Sequence, residues 1–170
     1  EGEEASFIAM VDGKTVLPMP SSQDHKAIFD DDRGPNTGGM GAYSPAPVVD
    51  RLIHKKIMQE VMLPIVKAMA AEGRPYKGVL YAGLMIDGDQ IKVLEFNGRF
   101  GDPEAQVVLP LLESDLFDVL LACAAGDLRT APPRWRTGAA ATVVAASEGY
   151  PGEYPTGRHI EGIGMAETVT

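Results

Sequence analysis

The sequence predicts an α+β fold in which a mainly antiparallel sheet is flanked by helices. Two observations support this: short apolar segments occur in pairs joined by tight turns, and helical segments lie between those pairs. With 170 residues, 45% hydrophobic and 23% charged, the chain is long enough to bury a core and has an ordinary globular composition. Each element is justified in chain order below.

The first pair of strands covers residues 5–11 and 15–19. They flank Asp12-Gly13, a dipeptide typical of a hairpin turn. Residues 20–47 then contain four prolines and four glycines. We interpret this stretch as a long loop, and a loop of that length in a compact domain is commonly functional.

A helix is predicted over residues 51–72. Asp50 is a suitable N-cap, Gly73 a suitable end, and Pro64 should kink the helix or break it. The apolar positions recur every four residues, at Ile53, Ile57, Val61, Ile65 and Met69.

A second hairpin is predicted around Asp87-Gly88-Asp89, with strands over 78–86 and 90–96. Two short helices follow. The remaining elements are a helix over 104–112, a helix over 116–125 that is capped by Ser114 or Asp115 and ends at Gly126, a proline-containing linker, and a strand over 138–147.

Charge and cysteine content exclude several functional classes. The formal net charge is −9, from 24 acidic and 15 basic side chains, which disfavours binding to nucleic acid. Cys123 is the single cysteine, so no intrachain disulfide can form. No apolar run approaches 18 residues, and we therefore expect a cytoplasmic protein with neither membrane nor nucleic-acid partners.

One strand carries oxygen ligands suited to a metal. Glu95 and Asn97 are two residues apart, so their side chains should project from the same face of the strand. Paired hard oxygens of this kind suit Mg²⁺, which takes its remaining ligands from water and substrate phosphates. Taken alone, a Glu-x-Asn strand is more often simply half-buried, but the charged turn that follows (Arg99, Asp102 and Glu104) favours a site.

Three motifs resemble the glycinamide ribonucleotide synthetase family (phosphoribosylamine–glycine ligases) of the ATP-grasp superfamily. The first is Val-Leu-Glu-Phe-Asn-Gly-Arg-Phe-Gly-Asp-Pro-Glu at 93–104. The second is Ser-Gln-Asp-His-Lys at 22–26 with the glycine-rich stretch at 34–45, and the third is Ala-Ser-Glu-Gly-Tyr-Pro-Gly at 146–152. They occur in the family's order and span most of the chain.

The resemblance implies an ATP-dependent ligation of glycine to 5-phosphoribosylamine through a glycyl phosphate, with Mg²⁺ or Mn²⁺ as cofactor. It implies that residues 1–128 are the second lobe of an ATP-grasp domain, 129–137 a linker, and 138–170 the beginning of a small C-terminal domain. The chain then looks like a piece of a longer enzyme. We expect these 170 residues alone not to turn over, and steady ADP release would refute this.

The resemblance also implies roles for individual residues. It makes Glu95 and Asn97 the metal ligands, Lys26 and Arg99 the catalytic cations, and Glu4 the partner of the ATP ribose. The implied substrate-binding residues are Asn36, Thr37, Gly38, Gly39, Asp102 and Glu104.

Plainer interpretations remain open for several of these residues. Lys26 can be a solvated lysine, Arg99 a salt-bridge partner of Asp102 or Glu104, and Asp102 part of an Asp-Pro turn. For the whole chain the alternatives are another ATP-grasp carboxylate–amine ligase and a non-catalytic nucleotide-binding module. Replacing Glu95 with Gln would distinguish a nucleotide-binding module from an enzyme, because only an enzyme should lose turnover.

Overall fold

The computed structural model describes residues 2–166 and confirms the predicted α+β class. Two antiparallel sheets are formed, and helices cover the larger one. The strands are β1 (Glu3–Asp12), β2 (Val16–Pro18), β3 (Gln23–Phe29), β4 (Arg33–Ser44), β5 (Lys77–Asp87), β6 (Gln90–Asn97) and β7 (Ala140–Val143). The helices are α1 (Arg51–Ile57), α2 (Leu63–Ala71), α3 (Ala105–Val108), α4 (Leu116–Ala125) and α5 (Ile163–Ala166).

The larger sheet has the strand order β2-β1-β5-β6, and both predicted hairpins lie in it. The turn of the first hairpin is fixed by Asp12, whose Oδ1 accepts hydrogen bonds from the backbone N–H groups of Lys14 (3.1 Å) and Thr15 (2.7 Å). Gly13 has φ = +99°, a conformation that favours glycine. The Asp-Gly signal therefore predicted this turn correctly.

The long helix forms as predicted but changes its winding before Pro64. Asp50 caps the N-terminus, its Oδ1 accepting 2.8 Å hydrogen bonds from the N–H groups of Leu52 and Ile53. One wider π turn, Met58–Met62, separates α1 from α2. Because proline has no N–H group to donate to the preceding turn, this wider turn absorbs the expected disturbance.

Residues 20–47 are mostly a strand pair and not a loop, which corrects our interpretation. β3 and β4 pair with each other and, with β7, form the smaller sheet in the order β3-β4-β7. The glycines of β4 mark close packing: a Cβ on Gly39 would lie 2.4 Å from Pro103 Cδ, and one on Gly41 would lie 2.6 Å from the Thr142 carbonyl oxygen.

The region after β6 matches the expected order of elements: α4 has the predicted bounds, whereas the helix predicted over 104–112 forms as α3 and a short 3₁₀ turn, Leu109–Leu111. Asp115 is the N-cap of α4, and Gly126 ends it with φ = +86°. The strand predicted over 138–147 is confined to β7, which pairs with β4. The division into domains at 128 and 138 stays a prediction, and residues 1 and 167–170 of those domains lie outside the described residues.

The larger sheet buries side chains on both faces. One face packs against the α1–α2 helix, with Phe7, Leu84 and Ile57 fully buried. Part of the other face packs against α3 and α4, where Ile8, Val107 and Val119 are buried. The rest of that second face is polar: Ser6 and Tyr81 are buried on it against Glu104, and Glu95 is exposed. Within residues 2–166 none of the helices is both long and apolar enough to span a membrane.

Candidate functional site

The polar part of the larger sheet's second face carries side chains from three strands. Residues directly opposite in antiparallel strands share a face. Ser6 lies opposite Gly83 and Gly83 opposite Glu95, while Tyr81 lies opposite Asn97. The predicted common orientation of Glu95 and Asn97 is therefore confirmed, and Ser6 and Tyr81 share their face. We call this surface the polar face.

A bulge in β6 turns Glu95 toward the polar face. Val93 lies opposite Leu84 and Glu95 opposite Gly83, so Leu94 is an extra residue with no partner in β5. Strict alternation would place Glu95 on the same face as Val93, beneath the helix. Because the bulge shifts the alternation by one residue, it re-aims Glu95 and Asn97 toward the polar face.

Lys26 connects the two sheets at the edge of a cleft. Its Nζ lies 3.0 Å from Glu4 Oε2, on β1, and 3.9 Å from Asp24 Oδ2, on its own strand. These three side chains line a cleft of about 390 Å³ together with Asn36 and Tyr43. A single cation is thus held between carboxylates where both sheets meet.

The charges around this cleft act on each other. Burial by itself lowers the pKa of Lys26, but the hydrogen bond to Glu4 and the charges of Asp24, Glu4 and Glu95 raise it overall, so the ammonium group stays protonated. Burial raises the pKa of Asp24, and the negative charge of Glu104 raises it further, against the opposing effect of Lys26.

The four residues predicted to bind substrate on the glycine-rich stretch lie on β4. Asn36 lines the cleft. Thr37 Oγ1 donates to the Lys26 carbonyl (2.8 Å) and accepts from the Gly39 N–H (3.0 Å), and the Gly38 N–H donates to the Tyr150 hydroxyl (3.2 Å). The backbone N–H groups of Gly38 and Gly39 are therefore already bound within the protein. A substrate-binding role for these residues stays a prediction.

The turn after β6 separates its charged residues. Arg99 is exposed and donates to the Phe100 carbonyl (2.8 Å), and within residues 2–166 it forms no ion pair with Asp102 or Glu104. Asp102 is also exposed and accepts from Gln106 Nε2 (2.7 Å). Arg99 and Asp102 are therefore accessible to a ligand, whereas Glu104 is only 2% exposed.

Glu95 and Asn97 are the oxygen pair predicted to bind a divalent cation, and this role stays a prediction. Glu95 is exposed, Asn97 is half-buried, and Gly83 opposite Glu95 leaves room for the carboxylate, because a Cβ there would lie 3.2 Å from Glu95 Cγ. In the described part of the chain no cluster of three or more His, Cys, Asp or Glu side chains is placed to hold a metal. A cation at Glu95 and Asn97 would therefore need further oxygens from water or a phosphate ligand, as Mg²⁺ does.

Sequence reasoning missed four residues of this site. These residues are Asp24, Ser6, Tyr81 and Gly83. They are distant in sequence, and only the folded arrangement of β1, β3, β5 and β6 brings them to the site.

Comparisons with known proteins show the family to which this chain belongs. Residues 1–105 match a family described as phosphoribosylglycinamide synthetase, ATP-grasp (A) domain. A phosphoribosylamine–glycine ligase of Allochromatium vinosum is 60% identical over 163 residues, which are 95% of this chain and 38% of that protein. One from Vigna unguiculata is 53% identical over 171 residues, 99% of this chain and 55% of that protein.

The chain is also similar to a solved structure of a phosphoribosylamine–glycine ligase. The crystal structure of phosphoribosylamine–glycine ligase from Thermotoga maritima matches with a TM-score of 0.80 and 37% identity, covering 89% of this chain and 38% of that one. This chain therefore spans 38% to 55% of the length of these relatives.

Proposed function

Because this chain belongs to the family of phosphoribosylglycinamide synthetase ATP-grasp domains, we propose that it forms the metal-binding strand and part of the substrate surface of a phosphoribosylamine–glycine ligase. The reaction joins glycine to 5-phosphoribosylamine at the expense of ATP and releases ADP and phosphate. The names and identities of the relatives support this choice of substrates.

The observation that carries the proposal is the position of Lys26 where the two sheets meet, paired with Glu4 of β1 and within electrostatic range of Glu95 of β6. The Lys26 ammonium is held by Glu4 and Asp24, and it feels the charge of Glu95 from the neighbouring sheet. A cation beside a pair of metal-type oxygens is what two negative reactants, a carboxylate and a triphosphate, need in order to approach each other.

The bond changes follow from the chemistry of the substrates. A glycine carboxylate oxygen attacks the γ-phosphorus of ATP, the bond from that phosphorus to ADP breaks, and glycyl phosphate forms. The amine nitrogen of 5-phosphoribosylamine then attacks the acyl carbon, loses a proton, and expels phosphate. Each step concentrates negative charge on phosphoryl oxygens, so nearby donors fixed in position lower its barrier.

This chain's own residues provide those donors. We assign the Lys26 ammonium and the exposed Arg99 guanidinium to the transferring phosphoryl group and the carboxylate, because a guanidinium binds such groups through two parallel hydrogen bonds. Asp102 would accept from the glycine ammonium, and Glu4 from the ribose hydroxyls of ATP. A bound Mg²⁺ or Mn²⁺, held by Glu95 and Asn97, would neutralise charge on the ATP phosphates.

The proposal is tested on the longest gene product that contains this sequence. ADP release is measured with Mg-ATP while glycine and phosphoribosylamine are omitted in turn, and we expect release only when both are present. Release that depends on another acid or amine would keep the ATP-grasp reaction but overturn the substrates. ATP binding without any turnover would instead identify a nucleotide-binding module.

Glu95→Gln provides the residue-level test. The neutral amide oxygen binds a hard cation more weakly than the carboxylate it replaces, so we expect turnover to fall by about 100-fold or more at fixed Mg²⁺. Glu113→Gln is the matched control, because Glu113 is an exposed glutamate beyond the site. Equal turnover in the two variants would contradict the metal assignment.

A further inference from the structure

A buried carboxylate that the proposed mechanism does not use, that of Glu104, lies against the polar face. Glu104 Oε1 accepts hydrogen bonds from Ser6 Oγ (2.7 Å) and from the Tyr81 hydroxyl (2.9 Å). Burial raises the pKa of Tyr81 well above its ordinary value, which keeps this phenol a donor. One oxygen of Glu104 therefore joins β1 and β5 to the turn that follows β6.

The same side chain folds back under its own turn. A Cβ on Gly101 would lie 2.2 Å from Glu104 Oε2, so residue 101 has room for no side chain while Glu104 is in place. The exposed residues Arg99 and Asp102 stand on either side of Gly101. Fixing Glu104 against the sheet therefore fixes the part of the backbone from which both of these side chains extend.

Glu104 also lies close enough to act on the cleft. Its charge reaches Asp24, whose side chain is 6% exposed and lies 3.9 Å from Lys26. Asp24 is further influenced by Glu4 and Lys26, the other charged groups that face it. A change at Glu104 should therefore be felt at Lys26 through Asp24.

We propose that Glu104 is a positioning residue for the ligation reaction: its carboxylate, anchored by Ser6 and Tyr81, holds the 99–102 turn in register with the β6 oxygens, and its charge acts on the Asp24–Lys26 pair. This inference rests on the proposed function. It gives Glu104 a role different from the direct substrate contact that the family resemblance implied. A substrate could reach this carboxylate only if the Ser6 and Tyr81 hydrogen bonds opened.

Two variants test the proposal. Glu104→Gln keeps the shape and one acceptor oxygen but removes the charge, and Tyr81→Phe removes one anchor while leaving Glu104 intact. We expect each to lower kcat by about 10- to 100-fold, because small displacements of catalytic groups have effects of that size. KM for ATP, glycine and phosphoribosylamine should each stay within about threefold. Glu113→Gln is again the control.

A second readout does not depend on activity. In the same protein with ¹³C-labelled aspartate, and with Asp24→Asn to assign the signal, Asp24 should titrate at lower pH in Glu104→Gln than in the wild type, because one negative neighbour is gone. Glu113→Gln should leave this titration unchanged. If the protein has no ligase activity, this measurement still tests the link between Glu104 and Asp24.

The outcomes separate the possible roles. A lower kcat with unchanged KM and a shifted Asp24 titration supports positioning. A large rise in KM for one substrate in Glu104→Gln, with Tyr81→Phe near wild type, would identify a substrate ligand and overturn the proposal. A lower unfolding temperature with unchanged kcat per folded molecule and unchanged Asp24 titration would reduce Glu104 to a stabilising residue and overturn it as well.

Discussion

Replacing Asp12 with Asn should destabilise the fold, because Asp12 uses both carboxylate oxygens. Oδ1 accepts from the N–H groups of Lys14 and Thr15, and Oδ2 accepts from the Leu128 N–H (3.0 Å). The residue is 3% exposed. It therefore ties the first hairpin to the segment that follows α4, 116 positions along the chain.

The size of the effect follows from those three bonds. In Asp12→Asn the amide oxygen can still accept from Lys14 and Thr15, but the NH₂ group then faces the Leu128 N–H. One hydrogen bond to a charged acceptor is lost and a buried donor is left unsatisfied, so we expect the free energy of unfolding to fall by about 2 to 3 kcal/mol at pH 7. Asp50→Asn is the matched control, since only one oxygen of Asp50 accepts bonds, and Asn caps helices as well as Asp does.

The stabilisation that Asp12 provides should depend on pH, and the direction of this dependence follows from its pKa. Burial alone would raise the pKa of Asp12, but the hydrogen bonds from Thr15, Leu128 and Lys14 outweigh burial and lower it. A lowered folded pKa means that the stabilisation is complete above the unfolded pKa of about 3.9 and is lost as the pH falls through the folded value.

Urea denaturation of the wild type, Asp12→Asn and Asp50→Asn at pH 7 and near pH 3 measures both effects. The gap between wild type and Asp12→Asn should narrow at the lower pH. Equal stability of the two variants at pH 7, or a gap that widens with acid, would refute the reasoning.

Two further substitutions test the site. Gly83→Val should push Glu95 from its place, since a Cβ at position 83 lies 3.2 Å from Glu95 Cγ, and weaken Mn²⁺ binding measured by electron paramagnetic resonance by roughly tenfold or more; unchanged affinity would contradict this. Tyr150→Phe removes the acceptor of the Gly38 N–H and should speed its hydrogen exchange roughly fivefold. The neighbouring Tyr154→Phe should not, and equal exchange in both variants would contradict the assignment.

Local signals in the sequence predicted most of the larger sheet and its helix. Asp12-Gly13 and Asp87-Gly88-Asp89 gave both hairpins, and apolar spacing with Asp50 gave the long helix. These features depend on interactions between residues close in the chain, so composition and period are enough to reveal them.

We did not predict the smaller sheet, because its glycines allow close packing within a strand and do not mark a loop. Gly39 and Gly41 are small so that Pro103 and the Thr142 backbone can approach, and these partners are distant in sequence. The bulge at Leu94 escaped for a related reason, because only pairing with β5 defines it. Sequence could place Glu95 and Asn97 on one face, but it could not show which face, or that Lys26 would pair with Glu4 where the two sheets meet.

The most direct test of the ligation account follows an oxygen atom. Glycine labelled with ¹⁸O in its carboxylate is turned over with ATP and phosphoribosylamine by the longest gene product that contains this chain, and the released phosphate is analysed by mass spectrometry. Attack by the carboxylate on the γ-phosphorus transfers one labelled oxygen to each phosphate formed, and we predict this transfer. Turnover that releases unlabelled phosphate would show that no glycyl phosphate forms and would contradict the proposed reaction.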